Sequence, residues 1–121
     1  MKKVLFICHG NICRSPMGEF ILKDLAAKAG LLDRLFVASA AVSREEIGNP
    51  VYPPARRVLA AHGISCEEKT AVQVCAADYN RYDYILYMEQ ANLPRLLRLV
   101  GPDRAGQCHR LLEFTSSTED I

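Results

Sequence analysis

Short apolar runs alternate along this chain with stretches whose apolar residues recur every three or four positions. Val4-Leu5-Phe6-Ile7 has the uninterrupted character of a strand buried on both faces. Ser15 and Pro16 then offer an N-cap and a first-turn proline, and Met17, Phe20, Ile21, Leu25 and Ala29 follow at helical spacing until Gly30 stops them. Leu35 to Ala38 predicts a second strand. A turn-rich stretch from Ser43 to Pro54, containing Gly48-Asn49-Pro50, leads into a helix through Val58 and Leu59 that ends at His62-Gly63. Asp83 to Met88, centred on Tyr84-Ile85-Leu86-Tyr87, predicts the third strand. Leu93, Leu96, Leu97 and Val100 mark another helix, with Pro94 in its first turn and Gly101 as its stop, and Gln107 to Leu112 predicts the fourth strand.

Strands separated by helical segments specify an α/β fold, here a four-stranded parallel sheet flanked by helices and joined by right-handed crossovers. No repeat, low-complexity tract or linker interrupts the pattern, so residues 1–121 read as a single domain. Thr115 to Ile121 supplies no closing helix. A last parallel strand calls for a helix returning across the sheet, so a C-terminal helix is expected to be missing and the domain to be C-terminally incomplete.

Composition narrows the function classes. Of 121 residues half are apolar, and fifteen basic side chains face fourteen acidic ones for a net charge of +1. That balance speaks against a nucleic-acid grip built on bulk charge, while leaving room for a small anion site. No apolar run approaches the ~20 residues of a membrane span, and the five apolar residues after Lys3 are too few for a signal peptide. A cytoplasmic protein with neither membrane nor nucleic-acid partner is expected. The five cysteines (8, 13, 66, 75 and 108) are odd in number and show neither a Cys-x-x-Cys pair nor a zinc-ligand spacing. Reduced thiols, no metal and no cofactor are the expectation.

One loop carries chemistry. Cys8-His9-Gly10-Asn11-Ile12-Cys13-Arg14-Ser15-Pro16 lies where the first strand becomes the first helix, the place where α/β proteins put ligands. Five residues between Cys8 and Arg14 let the loop curl so that the backbone N–H groups of His9 to Cys13 point inward as an anion nest. Gly10 is expected to supply the positive φ of that curl, and Asn11 can enter the left-handed region and brace the loop through its amide. Arg14 offers a planar fork able to hold two oxygens of a tetrahedral phosphate. Cys8, facing the helix dipole and that guanidinium, is expected to be a thiolate able to attack phosphorus. Ser15 is placed to donate its hydroxyl to the same sulfur.

The remaining candidates weigh differently. Cys13 either packs or reaches Cys8 to form a protective disulfide under peroxide. Cys66, Cys75 and Cys108 read as small hydrophobes among apolar neighbours. His9 reads as a side chain at the pocket rim, His62 as the complement of a helix end, and His109 as a strand residue. Tyr79, Tyr82, Tyr84 and Tyr87 read as packing around the third strand rather than as a base-stacking platform.

The run VLFICHGNICRSPMGE resembles the active-site segment of the low-molecular-weight protein tyrosine phosphatases, an apolar strand followed by C-x-G-N-x-C-R-S-P. Ser39-Ala40-Ala41, Gly48-Asn49-Pro50 with Pro53, His62-Gly63-Ile64, Tyr82 to Met88 and Leu111-Leu112-Glu113-Phe114 extend the similarity over essentially the whole chain. The resemblance implies a phosphotyrosine phosphatase I-like fold and a two-step hydrolysis of phosphotyrosine in a protein, or of a small aryl phosphate. Cys8 would take the phosphoryl group, Arg14 and the loop amides would stabilise the transition state, and water would release inorganic phosphate without a metal. Ser15 would assist the thiolate, and Asn11 with Ser39 would hold the loop.

The family's general acid is an aspartate in an Asp-Pro pair, which this sequence does not reach, and Asp120 is followed by Ile121 instead. Further departures are Glu45 where an aromatic residue is common, Lys69 where some members carry histidine, and Val72 where arginine is common. Three rivals share the loop. A protein arginine phosphatase is expected to have threonine at position 12, here Ile12. A thioredoxin-coupled arsenate reductase needs a resolving cysteine pair after the third strand, where Met88-Glu89-Gln90 stands. A non-catalytic phosphate-binding module would bind without turnover.

Overall fold

The structure, a computed structural model, describes residues 1–115 and 119–121. Its first strand, β1 (Lys2–Cys8), is central, with β2 (Leu35–Ala41) and β3 (Tyr84–Tyr87) parallel on either side and β4 (Cys108–Arg110) parallel beyond β3. The strand order is β2-β1-β3-β4. Among the described residues, four helices connect and cover them: α1 (Arg14–Lys28), α2 (Pro53–Ala61), the single turn α3 (Asp78–Arg81) and α4 (Asn92–Val100). The expected four-stranded parallel sheet flanked by helices is thus the observed architecture.

Period-two alternation divides the apolar run of β1 between two cores. Leu5 and Ile7 join Ala40, Val42, Val74, Ile85, Tyr87, Leu96 and Val100, the last two from α4. Val4, Phe6 and Cys8 face the other way with Val37, Leu86 and Met88, where Leu22 of α1 packs against them. Helix and sheet approach closely there: a Cβ on Gly18 would stand 2.9 Å from the Phe6 ring. Ile7 and Ile85 are fully buried, and truncating either to alanine would cost about 2–5 kcal/mol.

The third cluster, Val51, Ala55, Leu59 and Cys66, seats α2 against Met17 and Phe20 of α1. The helix stops fall where the pattern put them: Gly63 and Gly101 follow α2 and α4 with φ of 76° and 86°.

Four expectations need correction. The buried side chains of α1 are Ser15, Pro16, Glu19 and Ala26, whereas Ile21 and Leu25, read as inward, are exposed. Ser15 is not the N-cap either. Cys13 occupies that position without a side-chain cap, because the Ser15 hydroxyl is turned into the loop. The fourth strand closes at Arg110, and Leu111–Phe114 form a 3-10 turn in which Arg110 N–H is taken by the Glu113 carboxylate. The turn α3 was not expected at all; it is nucleated by Asp78, whose carboxylate accepts from Cys75 N–H at 2.8 Å. Part of the C-terminal stretch read as lacking a helix, residues 116–118, lies outside the described residues.

Candidate active site

Cys8 ends β1 and Arg14 opens α1, so the loop between them is strung from the carboxyl end of the central strand to the amino end of a helix. Backbone bonds pin its outside. Val42 N–H donates to the Cys8 carbonyl at 3.1 Å, Ser43 N–H to that of His9 at 3.0 Å and Tyr52 N–H to that of Ile12 at 2.6 Å. These bonds occupy the carbonyls of Cys8, His9 and Ile12 and leave the Asn11 N–H turned to the cysteine sulfur.

The left-handed residue is Asn11, with φ 59°, and not Gly10 as expected. Gly10 answers a different constraint: a Cβ there would stand 3.2 Å from Glu46 Cγ. Asn11 is nearly fully buried and uses its whole amide. Its Oδ1 accepts from Val72 N–H at 3.1 Å, and its Nδ2 donates to Ser15 Oγ and to Ser39 Oγ, both at 2.8 Å. Asn11 thus joins Ser15 at the start of α1 to Ser39 in β2.

Cys8 Sγ sits at the centre, receiving Asn11 N–H at 3.3 Å and lying 3.0 Å from Ser15 Oγ. It is 3% exposed. Arg14 opens α1 with Nη1 on the Ile121 carbonyl oxygen at 2.8 Å and Nη2 on Glu89 Oε1 at 3.2 Å. Residues 120–121 run along the same rim, with Ile121 N–H on the Met88 carbonyl and Gln90 N–H on the Asp120 carboxylate.

His9 is partly exposed, its Nε2 3.0 Å from Glu45 Oε2. Cys13 packs away from Cys8, against the cluster of Val51, Ala55, Leu59 and Cys66. Burial raises the Cys66 thiol, and burial together with Asp103 pushes Cys108 up to about 12, so both stay protonated and poor nucleophiles. Cys75 departs from its reading as a packed hydrophobe, since it is exposed. Among the described residues no group of three or more His, Cys, Asp and Glu side chains is placed to hold a metal ion.

Three participants escaped the sequence reading. Glu89 pairs with Arg14, Val72 serves through its backbone, and Glu19 accepts from Ser39 Oγ at 2.5 Å from beneath the loop. Glu19 was discoverable, because it lies four residues after Ser15 and so on the same helix face.

A parallel α/β sheet with a Cys-x5-Arg loop between central strand and first helix defines the class: an α/β protein that gathers polar groups around a buried cysteine sulfur at the carboxyl end of its central strand. The family model for low molecular weight phosphotyrosine protein phosphatase matches residues 3–121. The low molecular weight protein-tyrosine-phosphatase YfkJ of Bacillus subtilis is 39% identical over 119 residues, covering 98% of this chain and 76% of that protein. The rat low molecular weight phosphotyrosine protein phosphatase is 39% identical, over 96% of this chain and 72% of its own length. The crystal structure of YfkJ superposes with a TM-score of 0.92 over 98% of this chain and 75% of that one. A protein tyrosine phosphatase from Entamoeba histolytica, solved with Hepes in its active site, gives 0.88 at 26% identity, over 99% of this chain and 77% of its own. The chain belongs to the low molecular weight phosphotyrosine protein phosphatase family.

Proposed function

We propose that the chain hydrolyses phosphotyrosine in proteins, and small aryl phosphates, through a phosphorylated Cys8. The observation that carries this reading is the surroundings of Cys8 Sγ, which receives Asn11 N–H at 3.3 Å and lies 3.0 Å from the Ser15 hydroxyl. In the first step the Cys8 sulfur attacks phosphorus, the S–P bond forms, the P–O bond to the aryl group breaks, and the phenolate takes a proton from solvent or an acid. Arg14 and the amides of residues 9–13 hold the equatorial oxygens as charge spreads over them. In the second step water attacks phosphorus and loses a proton, the S–P bond breaks, and the thiolate returns to the hydrogen bond of Ser15 as inorganic phosphate departs.

No residue of the scheme needs a metal or cofactor. A cytoplasmic setting is supported by the unpaired cysteines and by the requirement of the reaction for a reduced Cys8; no helix among the described residues is long and apolar enough to cross a membrane. The test is Cys8→Ser with rapid acid quench. The parent should show phosphate bound to Cys8 and release of phenol, while Cys8→Ser should bind vanadate without turnover. Hydrolysis by Cys8→Ser at the parent rate would overturn the reading.

A further inference from the structure

Tyr87 is the last residue of β3 to pair on either side, with Ile7 of β1 and Arg110 of β4. The amides of Met88 and Glu89 therefore lie beyond the ladder. Met88 is 2% exposed, and a main-chain N–H left unpaired in such a place is costly. Both amides are taken by one atom: Asn92 Oδ1 accepts from Met88 N–H at 3.2 Å and from Glu89 N–H at 3.0 Å. A carbonyl oxygen has two lone pairs, so a single side chain serves both. The main chain closes the same turn, with Asn92 N–H donating to the Glu89 carbonyl at 2.9 Å.

Asn92 is itself 2% exposed, the polar member of a buried stripe of α4 whose other members are Leu96 and Val100. Spacing of four puts the three on one face, and the two apolar residues seat the helix against Ile85 and Tyr87 of β3. Packing alone would be served there by an apolar side chain. Starting the helix does not call for the amide either. A cap accepts from N–H groups that follow it, whereas the oxygen of Asn92 is turned back onto two that precede it, and among the described residues α4 has no side-chain cap. What the amide fixes is the course of the turn. That turn carries Glu89, whose Oε1 lies 3.2 Å from Arg14 Nη2.

We propose that Asn92 is a positioning residue for phosphate binding: by holding the amides of Met88 and Glu89 it sets the turn from which Glu89 orients the Arg14 guanidinium. The inference rests on the reading of Arg14 as the phosphate-binding fork and extends it to a residue outside the loop. The guanidinium is planar, so a bond at one Nη restrains the direction of its other N–H groups. A second tether reaches the turn from residues 120–121, where the Asp120 carboxylate accepts from Gln90 N–H at 2.9 Å and Ile121 N–H donates to the Met88 carbonyl at 3.0 Å. Those contacts engage Gln90 N–H and the Met88 carbonyl, and the Glu89 amide is the share of Asn92.

Vanadate binding, followed by calorimetry on the whole chain well below its melting temperature, reads the anion site without turnover. Glu89→Ala should weaken it about 3- to 10-fold as the guanidinium loses its anchor, and Asn92→Ala should weaken it to a similar degree. In the Glu89→Ala background, Asn92→Ala should add less than about twofold, because the two residues act through one route. Asn92→Asp, which still offers an oxygen to both amides, should stay within about twofold of the parent. A residue that only supports the fold would lower the melting temperature and leave the affinity of the folded chain alone. Parent affinity in Asn92→Ala, or a loss that multiplies in full with that of Glu89→Ala, overturns the proposal. If Asn92→Ala does not fold, Asn92→Ser decides, since its shorter side chain keeps a polar group but falls short of the two amides; parent affinity there refutes positioning by Asn92. A parent chain that does not bind vanadate at all refutes the anion site itself, a result distinct from a site that binds and ignores position 92.

Discussion

Arg14 Nη2 lies 3.2 Å from Glu89 Oε1, joining the first residue of α1 to the turn that follows β3. β1, which leads into α1, is the neighbour of β3 in the sheet, so this pair ties the Arg14 guanidinium to the next crossover. Both side chains are about one-third exposed, at 30% and 34%, which makes the pair a weak source of stability and a useful source of orientation. Glu89→Gln should leave the melting temperature nearly unchanged while raising KM for an aryl phosphate several-fold, roughly 3- to 10-fold, as Arg14 loses its anchor. Arg14→Lys should cost far more, since a point charge cannot replace the bidentate fork. Steady-state kinetics on both variants check this, and an unchanged KM in Glu89→Gln refutes the anchoring role.

Cys8, Arg14 and Ser15 were legible in the sequence because a strand end, a tight loop and a helix start are local, and the chemistry of each residue type constrains its place. Glu19, although four residues after Ser15, was masked by the apolar pattern of its helix. The apolar residues Met17, Phe20, Ile21 and Leu25 define one face of α1, yet the helix buries the face of Ser15, Glu19 and Ala26. A polar network under the loop outranks the hydrophobic pattern there, and Met17 and Phe20 are used instead to hold α2. Lys69 and Glu89 meet the site only through tertiary contacts, and position 72 contributes a backbone N–H that no side-chain pattern can announce. Positive φ was assigned to the glycine by propensity, but the buried amide of Asn11, satisfied at both ends, holds the left-handed conformation.

An oxidative switch is expected at the loop. The Cys8 thiolate would attack hydrogen peroxide, breaking the O–O bond to give a sulfenic acid and hydroxide, and the Cys13 thiol would then attack that sulfur, its proton leaving with the hydroxyl group as water, to form the disulfide. Cys13 must leave its packing against Val51, Ala55 and Leu59 to do so. Substoichiometric peroxide should therefore give a Cys8-Cys13 disulfide that a thiol reverses, and Cys13→Ser should leave Cys8 open to sulfinic acid. Peptide mapping that finds Cys8 over-oxidised in the parent while Cys13 stays reduced would remove the protective role.

Alkaline stability should depend on Cys108. Burial and Asp103 raise its thiol from 9.0 to about 12, so between those values the unfolded chain has lost a proton that the folded chain keeps. The folded state binds more protons in that window, and stability falls as pH rises through it. Lys69, shifted downward by burial, acts in the opposite sense below 10.5 and is the same in both proteins of the comparison. Cys108→Ala should melt below the parent at neutral pH, because it loses contacts with the core, and the gap should narrow steadily from about pH 9 upward. A constant gap across that range contradicts the thiol's shift.

Selectivity between phosphorylated side chains should turn on Ile12. Its carbonyl is fixed by Tyr52 N–H at 2.6 Å, so the loop cannot swing the side chain aside to admit a bulkier group. A β-branched apolar chain held in that way offers contact to an aryl ring and no acceptor for the N–H groups of a phosphorylated guanidinium, which would be left unpaired on leaving water. Ile12→Thr keeps the branching, removes a methyl group and adds a hydroxyl able to accept. The parent should therefore favour phosphotyrosine peptides over phosphoarginine peptides, and Ile12→Thr should shift the ratio of kcat/KM values toward phosphoarginine by about tenfold or more, the scale of one unpaired buried donor. Because Cys8, Arg14 and the Asn11 network are untouched, the rate on a small activated aryl phosphate should change by less than about threefold, which separates altered selectivity from a damaged loop. A parent that prefers phosphoarginine, or an Ile12→Thr variant whose ratio does not move, would place the selectivity elsewhere on the rim.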